Sequence, residues 1–283
     1  MAVETISAHA CHGGVQGFYR HASRECGGAM RFSVFRPPQA DRGPVPVLWF
    51  LAGLTCTEET FMVKAGAQRL AARLGLMLVA PDTSPREARF PGDDADWDFG
   101  QGAGFYVDAT EAPWSANYRM HAWVSAELPE VVAAHFPADL SRQGILGHSM
   151  GGHGALVCAF RHPERYRTLS ALAPIVAPSQ VPWGRKAFSG YLGPDESAWL
   201  AWDACALAGS TAWRGPVLVD QGESDKFLAT QLQPERLVAA CEGTDIRVQL
   251  RRHPGHDHSY WFIQTVIADH LRHHARGLGL ARD

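Results

Sequence analysis

The sequence predicts an α/β fold with a mostly parallel central sheet flanked by helices, and three observations carry that reading. Short β-rich runs alternate with longer segments of helical period, as in successive β-α-β units. A length of 283 residues suits one α/β unit of ordinary size. A Gly-x-Ser-x-Gly pentapeptide stands between a short apolar run and a Gly/Ala-rich segment, where a strand would turn sharply into a helix.

Taken in order, residues 30–35 and 45–51 are the first predicted strands, joined by a Pro- and Gly-containing connection. Residues 58–74 form an amphipathic helix, with Ala67, Leu70, Ala71 and Leu74 at helical spacing and Thr55-x-x-Glu58 as its capping box. Residues 76–80 make the next strand, which stops at Pro81-Asp82. Residues 83–113 are rich in Gly, Asp and Pro and have no period; a loop of that length is expected near the working site. Residues 118–136 read as a helix kinked at Pro129. Residues 144–146 and 152–161 are the strand and buried helix around the pentapeptide. A strand at 168–173 follows, then an irregular Pro/Gly/Trp-rich excursion over 174–200. Residues 217–220 and 246–250 are the last strands, with a helix near 234–240 between them. The final helix begins near Ser259 and can end at Gly277. No repeat or linker divides the chain, so one domain over residues 1–283 is expected.

Composition narrows the function classes. Hydrophobic residues at 46% and charged residues at 19% give a globular balance with ample core material. A formal net charge of −3 without any basic tract argues against a nucleic-acid partner. No apolar run approaches the ~20 residues of a membrane span. The opening residues lack the apolar core of a signal peptide, so a cytoplasmic protein is expected. Cysteines 11, 26, 56, 158, 205 and 241 lack metal or disulfide spacing and read as reduced thiols.

The pentapeptide Gly147-His148-Ser149-Met150-Gly151 carries the chemistry. In that setting Ser149 sits on a strained turn that lifts its hydroxyl off the sheet, and it is the candidate nucleophile for an acyl group. Small residues at 147 and 151 let the two arms of the turn pass close together. A serine hydroxyl needs a base within reach and an acid that orients the base. The strand at 217–220 runs into Asp220-Gln221-Gly222-Glu223-Ser224-Asp225, and Glu223 or Asp225 could supply the acid. The next strand leads to His253, His256 and His258, all candidates for the base, with His258 preferred because it opens the final helix. The oxyanion would rest on the Met150 backbone N–H and on a second N–H from the loop after residues 45–51. Gly53 would bring the Leu54 N–H to that place, although the same glycine would serve an ordinary turn.

Longer stretches carry a resemblance. Gly53-Leu54-Thr55-Cys56-Thr57-Glu58, Ala80-Pro81-Asp82-Thr83-Ser84-Pro85-Arg86, Trp97-Asp98-Phe99-Gly100, the nine residues from Gly102 to Thr110 and Asn117-Tyr118-Arg119-Met120 are joined by Gly147 to Ala155, Pro182-Trp183-Gly184, Lys186 to Gly193 and Asp257-His258-Ser259-Tyr260. With these the chain resembles the S-formylglutathione hydrolases, the esterase D family of α/β-hydrolases, nearly end to end. The resemblance implies Asp225 as the acid, His258 as the base and the Leu54 and Met150 N–H groups as oxyanion donors. It departs at residues 87–94 and 205–216, away from those positions.

The activity so implied is hydrolysis of S-formylglutathione to glutathione and formate, the hydrolytic step of formaldehyde removal, with no cofactor. A homodimer is implied as well. Cys56 lies two residues past the oxyanion loop and reads either as a packing thiol or, as the resemblance suggests, as a thiol lining the pocket. Lys64, Arg86, Arg119, Lys186 and Lys226 lie in or beside the matching stretches, but none is assigned to the two carboxylates of glutathione. His270 and His274, one helical turn apart, could chelate a metal but read better as surface groups at a helix end; no metal is expected. A broad short-chain carboxylesterase or an acyltransferase with the same three residues is the competing reading, and a non-catalytic binding protein a more distant one.

Overall fold

In the computed structural model, which describes residues 2–87 and 90–280, nine strands form one sheet. They are β1 (Val3–Cys11), β2 (Gly14–Ser23), β3 (Gly28–Arg36), β4 (Val45–Leu51), β5 (Met77–Pro81), β6 (Ala138–His148), β7 (Thr168–Leu172), β8 (Pro216–Gly222) and β9 (Arg247–His253). Their spatial order is β1-β2-β3-β5-β4-β6-β7-β8-β9. From β5 to β9 every neighbouring pair is parallel, whereas β1, β2 and β3 run antiparallel. The fold is therefore the α/β arrangement that the sequence predicts.

Every residue of β4, β5 and β7 is buried. Parallel strands covered on both faces become unbroken apolar runs, which is why these were legible. The N-terminal hairpin was not foreseen. Strand β1 is an edge strand exposed or half-exposed throughout, and its mix of Glu4, Thr5, Ser7 and His9 gives no apolar signal.

The helices are α1 (Glu58–Lys64), α2 (Gln68–Leu74), α3 (Met120–Ala122), α4 (Leu128–His135), α5 (Met150–Arg161), α6 (Pro182–Leu192), α7 (Glu196–Trp199), α8 (Ala204–Leu207), α9 (Glu235–Ala240) and α10 (Tyr260–Gly277). The single helix expected over 58–74 is two. Gly66 takes a left-handed φ of 67°, which turns the chain between α1 and α2. The capping box also moves: Thr57, not Thr55, caps α1 and exchanges hydrogen bonds with Thr60. Thr55 itself bends with φ 68°.

The expected kink at Pro129 is a π-helical turn, Trp123–Glu127, wound between α3 and α4. Proline has no N–H to give to the carbonyl four residues back. That carbonyl belongs to Ser125, and the Arg165 guanidinium donates to it instead. The excursion at 174–200 is more ordered than expected, because Pro182 opens α6 at a position where no N–H is missed. Residues 90–113 do remain irregular, with two isolated bridges within 96–103, and within the departure at 87–94 residues 88 and 89 lie outside the described residues. Among the described residues no helix is long and apolar enough to cross a membrane. The carboxyl ends of β4, β6, β8 and β9 lead into the four loops that hold the candidate residues, where an α/β sheet gathers a site.

Candidate active site

Strand β6 ends at His148, and α5 begins at Met150. Ser149 between them has φ 57° and ψ −119°, a strained conformation for a non-glycine residue. The turn is held from three sides: the Ser149 N–H donates to the Leu172 carbonyl at 2.9 Å, and the Ser149 carbonyl accepts from His153 at 3.1 Å and Ile175 at 3.2 Å. A Cβ on Gly147 would run into the Gly151 carbonyl, and one on Gly151 into the Leu51 carbonyl. The elbow therefore requires glycine at both positions. Met150 stands in the first turn of α5, where backbone N–H groups have no intrahelical acceptor.

Asp225 lies in the loop after β8 with its side chain fully buried. Its Oδ1 accepts from the Phe227 N–H at 2.9 Å, and its Oδ2 faces Gln221 Nε2 at 3.3 Å and His258 Nδ1 at 2.5 Å. The Phe227 ring stands edge-on to the His258 imidazole, with centroids 5.2 Å apart. A carboxylate only accepts, so Nδ1 of His258 is the donor and Nε2 is left toward the cavity. The other candidates in these loops are elsewhere. Glu223 is exposed. Asp220 remains in β8, paired with Arg251 and His270. His253 lies 3.4 Å from Asp220, and His256 bonds the Pro254 carbonyl at 3.1 Å.

The loop after β4 is clamped by Thr83, Arg86, Gly102 and Tyr106. The Tyr106 hydroxyl donates to the Ala52 carbonyl at 2.9 Å, and the Thr55 N–H donates to the Gly102 carbonyl at 2.9 Å. The Cys56 carbonyl receives both the Thr83 hydroxyl at 2.6 Å and the Arg86 guanidinium at 3.1 Å. Arg86 is fixed in turn on Asp82. With the Cys56 N–H turned back to the Gly53 carbonyl at 3.2 Å, two loop N–H groups are already used, those of Thr55 and Cys56. Gly53 packs directly on Ser149, since a Cβ there would come within 3.1 Å of the Ser149 Cβ.

Ser149, His258, Leu54 and Cys56 line one cavity of about 120 Å³ together with Gly53, His148, Trp97, Trp183 and Phe227. Its walls are mainly aromatic. Burial raises the Cys56 thiol pKa above the usual range, partly opposed by Thr60, Tyr260 and the Lys64 charge. The cationic residues near this region have other partners. Lys186 bonds Asp96 and Asp98, and Arg119 bonds Glu25. Lys64 lies over the Tyr260 ring and Lys226 over the Phe227 ring.

Two further findings depart from the sequence reading. His270 and His274 are fully buried, not surface groups. His270 bridges Ser170 and Asp220, and His274 bridges Ser170 and Thr168, so their nitrogens are spent inside the protein. No group of three metal-ligating side chains occurs among the described residues. The cavity also takes His148, Trp97, Trp183 and Phe227, to which the sequence patterns assign no role. His148 lies inside the pentapeptide itself, Trp97 and Trp183 lie in stretches that carry the resemblance, and Phe227 stands two residues after Asp225.

Comparison with known proteins shows the family. The Esterase family model matches residues 23–273. The S-formylglutathione hydrolase of Mus musculus is 53% identical over 280 residues, covering 98% of this chain and 99% of its own. That of Paracoccus denitrificans is 52% identical over 279 residues, covering 99% of both chains. The structure of an S-formylglutathione hydrolase from Agrobacterium tumefaciens superposes with a TM-score of 0.95 at 48% identity, covering 97% of this chain and 99% of that one.

Proposed function

The chain belongs to the esterase family of α/β-hydrolases, and from that premise we propose that it hydrolyses S-formylglutathione to glutathione and formate. The observation that carries the substrate is identity of about half to S-formylglutathione hydrolases along nearly the whole of both chains. The chemistry is supported by a buried carboxylate 2.5 Å from an imidazole that lines the same cavity as a serine on a strained elbow.

In this mechanism Ser149 Oγ attacks the formyl carbon of the thioester while Nε2 of His258 takes its proton. Asp225, bonded to Nδ1, holds the tautomer that leaves Nε2 free and stabilises the imidazolium that forms. The Leu54 and Met150 N–H groups receive the oxyanion, where fixed donors in a water-poor site are worth most. Collapse of the intermediate breaks the C–S bond, and the glutathione sulfur takes the proton from His258. Water then attacks the formyl ester, and formate leaves. The small aromatic cavity suits a short acyl group.

The same proposal treats the chain as one catalytic domain, cytoplasmic and homodimeric. One continuous sheet from β1 to β9 supports the first, six free cysteines support the second, and the family resemblance supports the third. The test compares turnover of S-formylglutathione, S-acetylglutathione and simple aryl esters, with Ser149→Ala as control. A preference of orders of magnitude for the formyl thioester is expected. Equal kcat/KM across acyl groups would demote the enzyme to a general esterase, and activity in Ser149→Ala would remove the serine from the mechanism.

A further inference from the structure

His148, the residue before the candidate nucleophile, has a role that the three-residue mechanism does not use. The residue is only 5% exposed, yet it lines the cavity with Ser149 and His258. Its ring lies 4.6 Å from that of His258, tilted by 41°, and 5.9 Å from the Tyr260 ring. Its Nδ1 faces the oxyanion loop, 3.3 Å from where a Cβ on Gly53 would stand. Neither ring nitrogen makes a well-formed hydrogen bond among the described residues. Burial, reinforced by the nearby His258, keeps its pKa well below the usual histidine range, with the His258 carbonyl opposing only in part. The ring is therefore neutral in the working range and offers one donor and one acceptor.

A buried polar atom without a partner costs about 1–3 kcal/mol, so a ring with a loose contact to one backbone carbonyl and nothing for its other nitrogen, beside the reacting centre, calls for an account. The cavity supplies one. A water molecule held in a largely apolar site needs two to four polar partners. In the second half of the reaction Ser149 is esterified and the oxyanion donors are occupied by the acyl oxygen. Of the remaining side chains around the cavity, Leu54 and Phe227 are apolar, Cys56 bonds weakly, and the indoles of Trp97 and Trp183 can donate to a water but cannot accept its second proton, as an imidazole nitrogen can. His258 gives the water one partner, and the ring packed against His258 can give the second.

We propose that His148 is a positioning residue for the deacylating water, holding it through a ring nitrogen while His258 removes its proton. This rests on the Ser149–His258–Asp225 reading but not on the identity of the thiol. The water oxygen bonds to the acyl carbon, and its proton passes to Nε2 of His258. The tetrahedral intermediate then breaks its bond to Ser149 Oγ, which takes that proton back as the acid leaves. Acylation needs no such water and makes no use of His148.

The experiment is rapid-quench and stopped-flow kinetics on His148→Phe and His148→Asn, using both S-formylglutathione and an aryl acetate. The aryl ester keeps the test readable if the glutathione thioester proves not to be the substrate. In His148→Phe, which keeps a ring of similar size, the first-turnover release of thiol or phenol should change less than threefold. Steady-state turnover should fall at least tenfold, with an acyl adduct on Ser149 accumulating in the intact mass spectrum. His148→Asn, which restores a donor and an acceptor, should recover part of the deacylation rate. Equal losses in acylation and deacylation would assign His148 a packing role and overturn the proposal, as would unchanged deacylation in His148→Phe. If His148→Phe fails to fold, His148→Leu, which also removes both ring nitrogens, takes its place, and an acylation-to-deacylation rate ratio in it equal to that of the unsubstituted enzyme overturns the proposal as well.

Discussion

The Nδ1 atom of His258 lies 2.5 Å from Oδ2 of Asp225, and the Asp225 side chain has no solvent exposure. The carboxylate is held by the Phe227 and Gln221 donors as well, so its position does not depend on the histidine. Asparagine would fit the same space but could offer its amide N–H to Nδ1 and so stabilise the wrong imidazole tautomer. Asp225→Asn should lower kcat by about 10³-fold or more with little change in KM. Steady-state kinetics with folding checked by circular dichroism decide this; a loss below tenfold would mean that His258 does not rely on Asp225.

Cys56 predicts a protection pattern. It lines the cavity, so a group added to its sulfur should occupy the space an acyl group needs. Alkylation should abolish turnover, and saturating substrate should slow the labelling. Because burial holds the thiol pKa above its ordinary value, labelling by iodoacetamide should be slow at neutral pH and accelerate through the alkaline range. Cys56→Ser should keep most activity and resist the reagent, since no step uses the sulfur. A fully alkylated enzyme that still turns over would place the thiol outside the working cavity.

Glu58 sets a pH dependence of stability. Burial and the neighbouring Asp82 charge push its carboxyl up to about 7, against the opposing Arg31 charge, with Glu59 adding to the rise. A pKa raised by folding means the native state holds a proton the unfolded chain has lost. The stabilising contribution is therefore complete below the unfolded value near 4.5 and is lost as the pH rises through about 7. Glu58→Gln keeps the neutral form permanently. Its Tm should exceed that of the unsubstituted protein by about 2 °C or more at pH 8, and the gap should close toward pH 5. A gap independent of pH would show that Glu58 is ionised throughout.

Much of this site was readable in the sequence because its chemistry is local. The Gly147–Gly151 turn and the order of the loops after β8 and β9 follow from short patterns; His258 is preferred there because it opens the final helix, whereas the choice of Asp225 over Glu223 rests on the resemblance. The hairpin of β1 and β2 was not readable, since an exposed edge strand needs no apolar face. Nor was the break at Gly66: the periodicity of residues 58–74 survives across it, and only the left-handed φ reveals the turn. The buried state of His270 and His274 depends on partners 100 and more residues away, Ser170 and Thr168, which no local pattern links to them.

That buried chain supplies the last prediction and separates the two aspartates of β8 and its loop. Asp220 accepts a two-pronged bond from Arg251, at 2.6 and 2.5 Å, and faces His270 Nε2 at 3.2 Å. His270 continues to Ser170 at 2.8 Å, Ser170 to His274 at 2.8 Å, and His274 to Thr168 at 2.6 Å. The Ser170 hydroxyl lies between two imidazoles, so it donates to one and accepts from the other. The chain ties α10 to β7 and β8 but touches neither Ser149 nor His258. Asp220→Ala leaves a guanidinium and an imidazole without their buried carboxylate, and it should cost about 3 kcal/mol or more in urea unfolding at pH 7. Burial alone would raise the Asp220 pKa, but the bonds and charges of His270 and Arg251 together outweigh it and hold the group far below its ordinary value. Its contribution is therefore present above the unfolded pKa near 4 and lost as the pH falls through and below it, so the difference between the two proteins should shrink in acid. At temperatures where Asp220→Ala remains folded, kcat should stay within about threefold, against the 10³-fold loss expected of Asp225→Asn. A stability unchanged by the substitution would refute the structural role, and a kcat loss comparable to that of Asp225→Asn would make Asp220 part of the charge system that serves His258.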